Sequence, residues 1–240
     1  ELGMALAKAG HEVHFITYAV PNRLDLCGTN IYYHEVSVPE YPLMEYAPYS
    51  LALASTIADC AQDWNLDIIH AHYAIPHAAS AILARGIIGD GLKVITTLHG
   101  TDVTLVGRNA SFLPITRYAI EQSDYVTAVS EFLREEVCNV FTYSKDITVI
   151  HNFINPHEYR NLSTVELRKT LAPKGEKLLI HVSNFRPLKR IMDVLEIFLG
   201  VKQKMPTKLI LVGQGPELPE LEQKARELGV TADILIMGNR

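Results

Sequence analysis

The sequence predicts an α/β protein with two domains, each built on a mostly parallel sheet. Short apolar runs of the kind found in buried strands alternate with longer amphipathic segments along most of the chain, which is typical of βαβ units. The alternation stops at residues 151–161, which are rich in Asn, His and Pro, and then resumes. We therefore predict a first, nearly complete domain over residues 1–155 and the first half of a second over residues 156–240.

Six strands and five helices are expected in the first domain. An opening helix over residues 1–9 is ended by Gly10, the residue type that helix ends favour. Ser130 is a good N-cap for the last helix, and the acidic residues after it suit the positive end of a helix dipole. The expected strands are 13–17, 31–36, 67–72, 94–98, 125–129 and 147–150, and the other helices are 49–64, 76–85, 111–122 and 130–139.

The second domain is expected to continue the same alternation. Leu218, Leu221, Ala225 and Leu228 keep helical spacing along one face. The expected strands are 177–182, 208–212 and 234–237, and the expected helices are 165–171, 188–202 and 218–228. No strand precedes the opening helix, and the last residues follow directly on a strand. We therefore expect the chain to be truncated at both ends.

Composition argues against several classes of protein. The net charge is −5 and no basic stretch is interleaved with aromatics, so nucleic acid is not an expected partner. The sequence contains no run of about 18 apolar residues, so we do not predict a membrane span. Cys27, Cys60 and Cys138 lie far apart and form no CxxC, so we expect reduced thiols and a cytoplasmic protein. A homo-oligomer is compatible with the sequence.

Residues 181–190 are the most informative stretch for function. An apolar strand ends here and a helix is expected to follow, so Arg186, Lys189 and Arg190 lie at the junction between them. Ligands of open α/β sheets bind at the carboxyl ends of strands. Free backbone N–H groups at a helix start, with cations beside them, suit a diphosphate. The alternative is that these charges are solvated on an ordinary first helical turn.

A pair of glycines follows the next strand. Gly213 and Gly215 are spaced like the start of a dinucleotide-binding loop, but Leu218 occupies the place of the third glycine. We therefore interpret the pair as a tight strand-to-helix turn whose backbone approaches a ligand, and not as a site for NAD.

Three histidines lie at the end of the third predicted strand. His70 and His72 share one face of the strand because side chains alternate with a period of two, and His77 follows shortly after. Imidazole is a common zinc ligand. The spacing matches no named zinc motif, however, and no Cys or carboxylate lies beside it. Substrate contact at a strand end, or satisfied core histidines, is the favoured interpretation.

The fourth predicted strand runs into His99, Gly100, Thr101 and Asp102. Gly100 permits backbone close to a ligand, and His99 can donate or accept a hydrogen bond near neutral pH. Asp102 can hold an imidazole or bind a hydroxyl. A Ser/His/Asp hydrolase is disfavoured because the chain contains no GxSxG elbow. The remaining alternative is a structural loop with a capping Asp.

The chain contains no Asp-x-Asp pair of the kind that holds a metal together with a nucleotide. If a diphosphate leaves here, cations of the protein must neutralise it, which agrees with Arg186 and Lys189. The sequence therefore predicts neither a metal site nor a cofactor.

Together these motifs resemble the retaining glycosyltransferases of family 4, which have the B-type fold of two Rossmann-like domains. The resemblance is carried by the loop 99–102, the strand end 127–130, the Arg186/Lys189 pair and the turn 213–217. The longer strings 70–77, 96–102 and 181–186 resemble those members that transfer N-acetylglucosamine from UDP-N-acetylglucosamine to the hydroxyl of L-malate in bacillithiol biosynthesis. The resemblance implies a UDP-sugar donor and a small hydroxy-acid acceptor.

The resemblance also implies roles for individual residues. Arg186 and Lys189 would lie on the UDP diphosphate and His99 beside the transferred sugar, and these three would form the catalytic group. The rest of the donor site in the second domain would be Ser183, Gly213, Gly238 and Asn239. The acceptor contacts in the first domain would be Tyr73, Thr97 and Arg117, although Arg117 could equally face water.

The chain departs from the family pattern at the usual Gly-Arg pair, which is Ser183-Asn184 here, with the arginine two places later. The family's glycine-rich loop, expected before Glu1, and its Glu-x7-Glu segment, expected after Arg240, are not in the sequence. Three rival interpretations stay open. They are a family-4 hexosyltransferase with another acceptor, such as an inositol phosphate or a lipid, a non-catalytic two-lobed binding protein, and an NAD oxidoreductase.

Overall fold

The structure, a computed structural model, describes residues 1–21, 24, 30–39, 42, 44–89, 91–157 and 164–239. Cys27, Arg240 and residues 158–161 of the expected junction lie outside the described residues. The chain divides into two compact units, residues 1–158 and residues 159–240.

The first unit contains two parallel sheets. The smaller sheet pairs β1 (Val13–Thr17) with β2 (Ile31–Glu35). The larger one runs in chain order through β3 (Ile68–His72), β4 (Lys93–Leu98), β5 (Tyr125–Ala128) and β6 (Ile147–Val149). Its register sets His72 beside Thr97 and Thr97 beside Thr127. The carboxyl ends of β3, β4 and β5 therefore meet at one edge, which is where the predicted polar residues of this unit lie.

The helices of the first unit largely follow the expected pattern. They are α1 (Leu2–Lys8), α2 (Tyr49–Asp63), α3 (Ala79–Ile88), α4 (Thr101–Thr104), α5 (Leu113–Gln122) and α6 (Glu131–Phe141). Gly10 follows α1 with φ +97°, as its role in ending the helix requires. The Ser130 hydroxyl accepts a hydrogen bond from the Leu133 amide at 3.2 Å, so the predicted N-cap of α6 is confirmed.

Two helix predictions in this unit were wrong in detail, and one short helix was missed. α3 begins at Ala79 and not at residue 76, because residues 74–78 form a separate wide turn in which Ile75 is extended. A residue before proline is disfavoured in the α region, and Ile75 precedes Pro76. α5 begins at Leu113, two residues late, because the Asn109 side chain accepts the Ser111 amide in a local turn. The single turn of α4 was not predicted.

Alanines allow α2 and α3 to pack closely against each other and the larger sheet. Ala78, Ala81 and Ala84 are fully buried in this core cluster. A second cluster around β5 and β6 contains Val126 and Phe141. A fully buried side chain of this size stabilises the fold by about 1.5–3 kcal/mol, so the two clusters hold the strand ends in place.

The second unit is a parallel sheet with the order β7 (Lys177–Val182), β8 (Thr207–Val212), β9 (Ile234–Ile236). Its helices are α7 (Val165–Leu171), α8 (Ile191–Lys202) and α9 (Leu218–Glu227). Phe198 of α8, Leu221 of α9 and Leu209 of β8 are fully buried against one another in its core. All strand bounds in both units lie within one residue of the predicted ones.

The start of α8 differs from the prediction. Pro187–Lys189 form one turn of 3-10 helix, and Arg190 adopts a left-handed conformation with φ +51°. The α-helix begins only at Ile191 and not at residue 188. Leu188 is 70% exposed whereas Ile191 is fully buried, so the apolar face that anchors the helix starts at Ile191.

Two of the three cysteines can be placed. Cys60 is buried in α2 and Cys138 is exposed on α6, and both carry free thiols. Within the described residues, no helix has both the length and the apolar character that crossing a membrane requires.

Candidate active site

The loops after β7, β8 and β9 are bonded to one another at the carboxyl edge of the second sheet. The Ser183 amide donates to the Val212 carbonyl at 3.1 Å, and the Gly213 amide donates to the Gly238 carbonyl at 2.8 Å. The family resemblance assigns three residues of these loops to the donor site. They lie together at one edge of the sheet and are Ser183, Gly213 and Gly238. Asn239 follows as an exposed residue.

The two glycines of the β8–α9 turn are required by the loop beside them. Gly213 has φ +128°, and a Cβ there would lie 1.9 Å from the Ser183 carbonyl oxygen. A Cβ on Gly215 would lie 2.5 Å from both the amide nitrogen and the carbonyl oxygen of Phe185. The prediction of a tight turn is confirmed. Glycine is required at both positions because their backbone lies close to the neighbouring loop.

Arg186 and Lys189 lie on the turn between β7 and α8. The Lys189 amide donates to the Arg186 carbonyl at 2.7 Å, which brings the two residues to the same short turn. Both are exposed, and neither side chain pairs with any residue that the structure describes. Arg190, the third cation, is instead paired with Asp193. Arg186 and Lys189 are therefore available to an anionic ligand, although they precede α8 and do not lie within its first turn.

Two polar groups at this edge were missed by the sequence reasoning. His181 Nε2 and Ser183 Oγ are hydrogen-bonded at 2.8 Å, a contact that the period-two alternation of β7 could have indicated. Oε2 of Glu217 is buried and has no hydrogen-bond partner among the described residues. The Glu217 amide donates to the Phe185 carbonyl, so this carboxylate belongs to the same group of loops. A buried oxygen without a donor is costly, and a ligand donor would satisfy it.

Histidines occupy the corresponding edge of the larger sheet in the first unit. The rings of His70 and His72 stack with their centroids 4.7 Å apart, so the predicted common face of β3 is confirmed. His70 Nε2 bonds to Thr97 Oγ1 at 2.7 Å, and Thr97 Oγ1 bonds to Thr127 Oγ1 at 2.7 Å. These contacts form a polar chain across β3, β4 and β5. Thr97 is only 8% exposed and its hydroxyl is bonded on both sides, so it is placed to support the site from within the sheet.

His99 joins this group from the end of β4. Its Nε2 lies 2.9 Å from Nδ1 of His72, and the ring of Tyr73 packs against it with centroids 4.9 Å apart. Tyr73 has φ +79°, a conformation that is rare for a residue other than glycine, and strain of this kind is concentrated at functional sites. His77 Nδ1 donates to the His72 carbonyl at 2.5 Å. The histidine cluster of His70, His72, His77 and His99 thus forms one connected group with Tyr73.

Asp102 holds the loop and not an imidazole. Its carboxylate accepts the amides of Ala74 at 3.0 Å, Gly100 at 2.9 Å and His99 at 3.2 Å, and it is 2% exposed. No hydrogen bond from Asp102 to an imidazole is found among the described residues, and backbone amides donate to both of its oxygens. The alternative of a structural loop with a capping Asp is the one observed.

Burial favours the uncharged form of three of these histidines, His70, His72 and His99. Burial, followed by the charges of His70 and His99, lowers the pKa of His72 to about 4. Burial also lowers the pKa of His70 and of His99, although the Asp102 carboxylate opposes the shift at His99. Neutral imidazoles can both donate and accept hydrogen bonds, as sugar hydroxyls require. Among the described residues, no group of three or more His, Cys, Asp or Glu side chains is arranged to hold a metal ion.

Arg117 is the remaining predicted acceptor contact. It is exposed on α5, a helix that packs against the turn 74–78, and it pairs with no described residue. The guanidinium is therefore free to bind a carboxylate.

Family models and related proteins match both units of the chain. Residues 1–158 match the family Glycosyltransferase Family 4, and residues 163–240 match Glycosyl transferases group 1. The chain is 46% identical to N-acetyl-alpha-D-glucosaminyl L-malate synthase of Bacillus anthracis, over 100% of this chain and 63% of the relative. It is 26% identical to an uncharacterized glycosyltransferase of Methanocaldococcus jannaschii, over 99% of this chain and 63% of the relative. The chain thus spans 63% of the length of these two relatives.

Solved structures show the same fold. Anabaena HepE in complex with UDP-glucose matches with a TM-score of 0.69 at 19% identity, over 88% of this chain and 56% of that one. TarM of S. aureus matches with a TM-score of 0.57 at 18% identity, over 81% of this chain and 37% of that one. The parallel α/β sheets are thus those of the B-type glycosyltransferase fold. On the match of residues 1–158, the chain belongs to glycosyltransferase family 4.

Proposed function

We propose that the protein transfers N-acetylglucosamine from UDP-N-acetylglucosamine to the hydroxyl of L-malate, with retention at the anomeric carbon. The observation that carries this proposal is the 46% identity to the Bacillus anthracis protein named for that product, along all of this chain. We assign the chemistry that such a reaction needs to residues at the carboxyl edges of the larger sheet of the first unit and of the sheet of the second unit. On this proposal, the protein is an enzyme of bacillithiol biosynthesis. Its location would be the cytoplasm, which agrees with the free thiols of Cys60 and Cys138.

The second unit would bind the donor. Arg186 and Lys189 lie on one short turn and have no partner among the described residues, and a diphosphate would neutralise both. Ser183, Gly213, Gly238 and Asn239 would line the rest of the nucleotide site. Oε2 of Glu217, which has no hydrogen-bond partner in the described part of the chain, would accept a hydrogen bond from a hydroxyl or N–H group of the nucleotide.

The first unit would bind the acceptor. Arg117 would pair with a malate carboxylate, and Tyr73 would contact the acceptor beside His99. Thr97 would act indirectly, by fixing His70 behind the ring of His72. The neutral His99 ring would form a hydrogen bond with a hydroxyl of the transferred sugar.

The chemistry would be a displacement on one face of the sugar. The bond from the anomeric carbon to the UDP oxygen breaks, and a bond from the malate hydroxyl oxygen forms on the same side. The β-phosphate of the departing UDP takes the hydroxyl proton. Arg186 and Lys189 would stabilise the charge that develops on this phosphate, and an interaction that strengthens in the transition state accelerates the reaction.

Product analysis tests the proposal. Full-length protein would be incubated with UDP-N-acetylglucosamine and a panel of acceptors containing L-malate, other hydroxy acids, an inositol phosphate and a lipid acceptor. We expect N-acetylglucosaminyl malate with the α configuration by NMR, together with one UDP for each product. Preference for an inositol phosphate or lipid would favour the rival family-4 hexosyltransferase, and nucleotide binding without turnover would favour a binding protein.

A further inference from the structure

His72 and His99 contact each other directly through their ring nitrogens. We propose that His72 is a positioning residue that holds His99 in one tautomer and one orientation toward the transferred sugar. The inference rests on the proposed function, since it assigns His99 to the sugar. It concerns His72, which touches neither donor nor acceptor in that scheme.

A hydrogen bond between two imidazoles contains a single proton. His72 Nδ1 and His99 Nε2 are 2.9 Å apart, so one nitrogen carries the hydrogen and the other offers its lone pair. A neutral ring has one hydrogen, so the choice at Nε2 of His99 also decides whether its Nδ1 carries one. Nδ1 of His99 has no partner among the described residues, which leaves it to a ligand. The state of His72 therefore decides whether His99 presents a donor or an acceptor.

His72 is itself held from three sides. Its ring stacks on His70, which the Thr97 hydroxyl fixes at 2.7 Å. Its carbonyl accepts from His77. Its place in β3, in register with Thr97, fixes its Cα. A half-buried partner that is held through its ring and its backbone can orient a second ring, whereas a fully solvated one would exchange its bond with water.

The His99 backbone is equally constrained. Asp102 accepts the amides of His99 and Gly100, so the loop cannot move to choose a new ring position. Only the side-chain torsions of His99 stay free. The packing of Tyr73 on one side and the bond from His72 on the other restrict these torsions to one arrangement.

The experiment compares His72 variants in the full-length protein. Long-range 1H–15N NMR spectra report the tautomer of His99, and steady-state kinetics with UDP-N-acetylglucosamine and L-malate report kcat and KM. His72→Phe keeps an aromatic ring against His70 but removes Nδ1. We expect wild-type His99 to show one tautomer and the Phe variant to show a mixture. We expect the Phe variant to lose about 10-fold to 100-fold in kcat, with donor KM changed by less than about threefold.

A rescue variant and a matched control test whether the effect is specific to Nδ1 of His72. His72→Asn places an amide near the position of Nδ1 and should restore a single tautomer and part of kcat. The pair His14–His34, 2.8 Å apart on β1 and β2, is a second imidazole pair in the same unit. His34→Phe breaks that pair and should leave the His99 tautomer and kcat as in wild type.

The proposal is overturned if His72→Phe keeps a single His99 tautomer and stays within about threefold of wild-type kcat. If the Phe variant does not fold, His72→Gln, whose amide lies near Nε2 instead of Nδ1, takes its place with the same expectations. Failure of the wild-type protein to transfer the sugar would contradict the proposed function. The tautomer comparison would then still decide the role of His72.

Discussion

Gly215 lies directly against the backbone of Phe185, so that a Cβ on Gly215 would come within 2.5 Å of the Phe185 amide nitrogen and carbonyl oxygen. The Phe185 side chain is fully buried and its amide donates to the Gln214 carbonyl at 3.0 Å. The turn after β8 and the loop after β7 therefore fix each other. This loop leads into the turn of Arg186 and Lys189, so any strain at Gly215 is passed to the proposed diphosphate site.

A methyl group at Gly215 should destabilise the second unit. Backbone atoms cannot rotate away as a side chain can, so Gly215→Ala should lower the free energy of unfolding by about 1–3 kcal/mol. Gly200→Ala is the matched control, since a Cβ on this exposed glycine of α8 would meet nothing within 4 Å. That control should stabilise the protein by about 0.5–1 kcal/mol through helix propensity. Urea unfolding of both variants tests this, and an equal response of the two would contradict it.

Removing the charge of either Arg186 or Lys189 should impair catalysis. A charge-assisted hydrogen bond contributes about 1.5–3 kcal/mol, so Arg186→Ala or Lys189→Ala should lower kcat/KM by roughly 10-fold to 100-fold. Lys169 is an exposed lysine of α7 that is paired with Glu166 at 2.8 Å. Lys169→Ala should leave kcat/KM unchanged. Losses below about threefold for both active-site variants, in folded protein, would remove the two residues from the diphosphate site.

Asp102→Asn should destabilise the histidine loop. The carboxylate accepts three backbone amides, and an Asn amide would turn a donor toward at least one of them. A buried amide left without an acceptor costs about 1–3 kcal/mol. Trp64 is the single tryptophan of the chain and lies in the first unit, so its fluorescence would report the loss of stability in that unit. Unchanged unfolding would show that Asp102 does not support the loop.

The first unit should lose stability as the pH falls. The pKa of His72 is 6.5 in an unfolded chain and about 4 in the folded protein. The unfolded state therefore takes up the proton first, and the contribution of His72 is present above pH 6.5 and lost as the pH falls toward 4. The lowered pKa values of His34, His70 and His99 act in the same direction. The total loss attributable to His72 is on the order of 3 kcal/mol.

Comparison with a variant isolates this effect from the titration of carboxylates. Urea unfolding of wild type and of His72→Phe would be followed at several pH values between about 7 and 4.5. The variant should show the shallower dependence on pH in this window. Parallel curves would mean that His72 is not held neutral by burial.

Activity should survive EDTA. The sequence has no Asp-x-Asp pair, and in the proposed function Arg186 and Lys189 would neutralise the diphosphate in place of a divalent ion. The measurement is the rate of UDP release before and after chelation. Complete loss of activity that a divalent ion restores would refute the expectation.

The sequence by itself determined the two-unit α/β architecture and the bounds of the strands. The alternating and continuous apolar runs that predict strands are local features, because each run is formed by the residues of a single segment. The same locality explains the Ser130 cap, the end of α1 at Gly10 and the common face of His70 and His72. Family resemblance identified the donor and acceptor residues as candidates without placing any of them.

The tertiary structure alone decided which polar groups meet. The register of β3 against β4 brings His72 to His99, and nothing in either segment specifies a partner 27 positions away. The role of Asp102 depends on the Ala74 amide, which arrives from another loop. The requirement for Gly215 depends on the course of the Phe185 loop. Contacts between strand ends are set by packing and register, and these are properties of the assembled sheet.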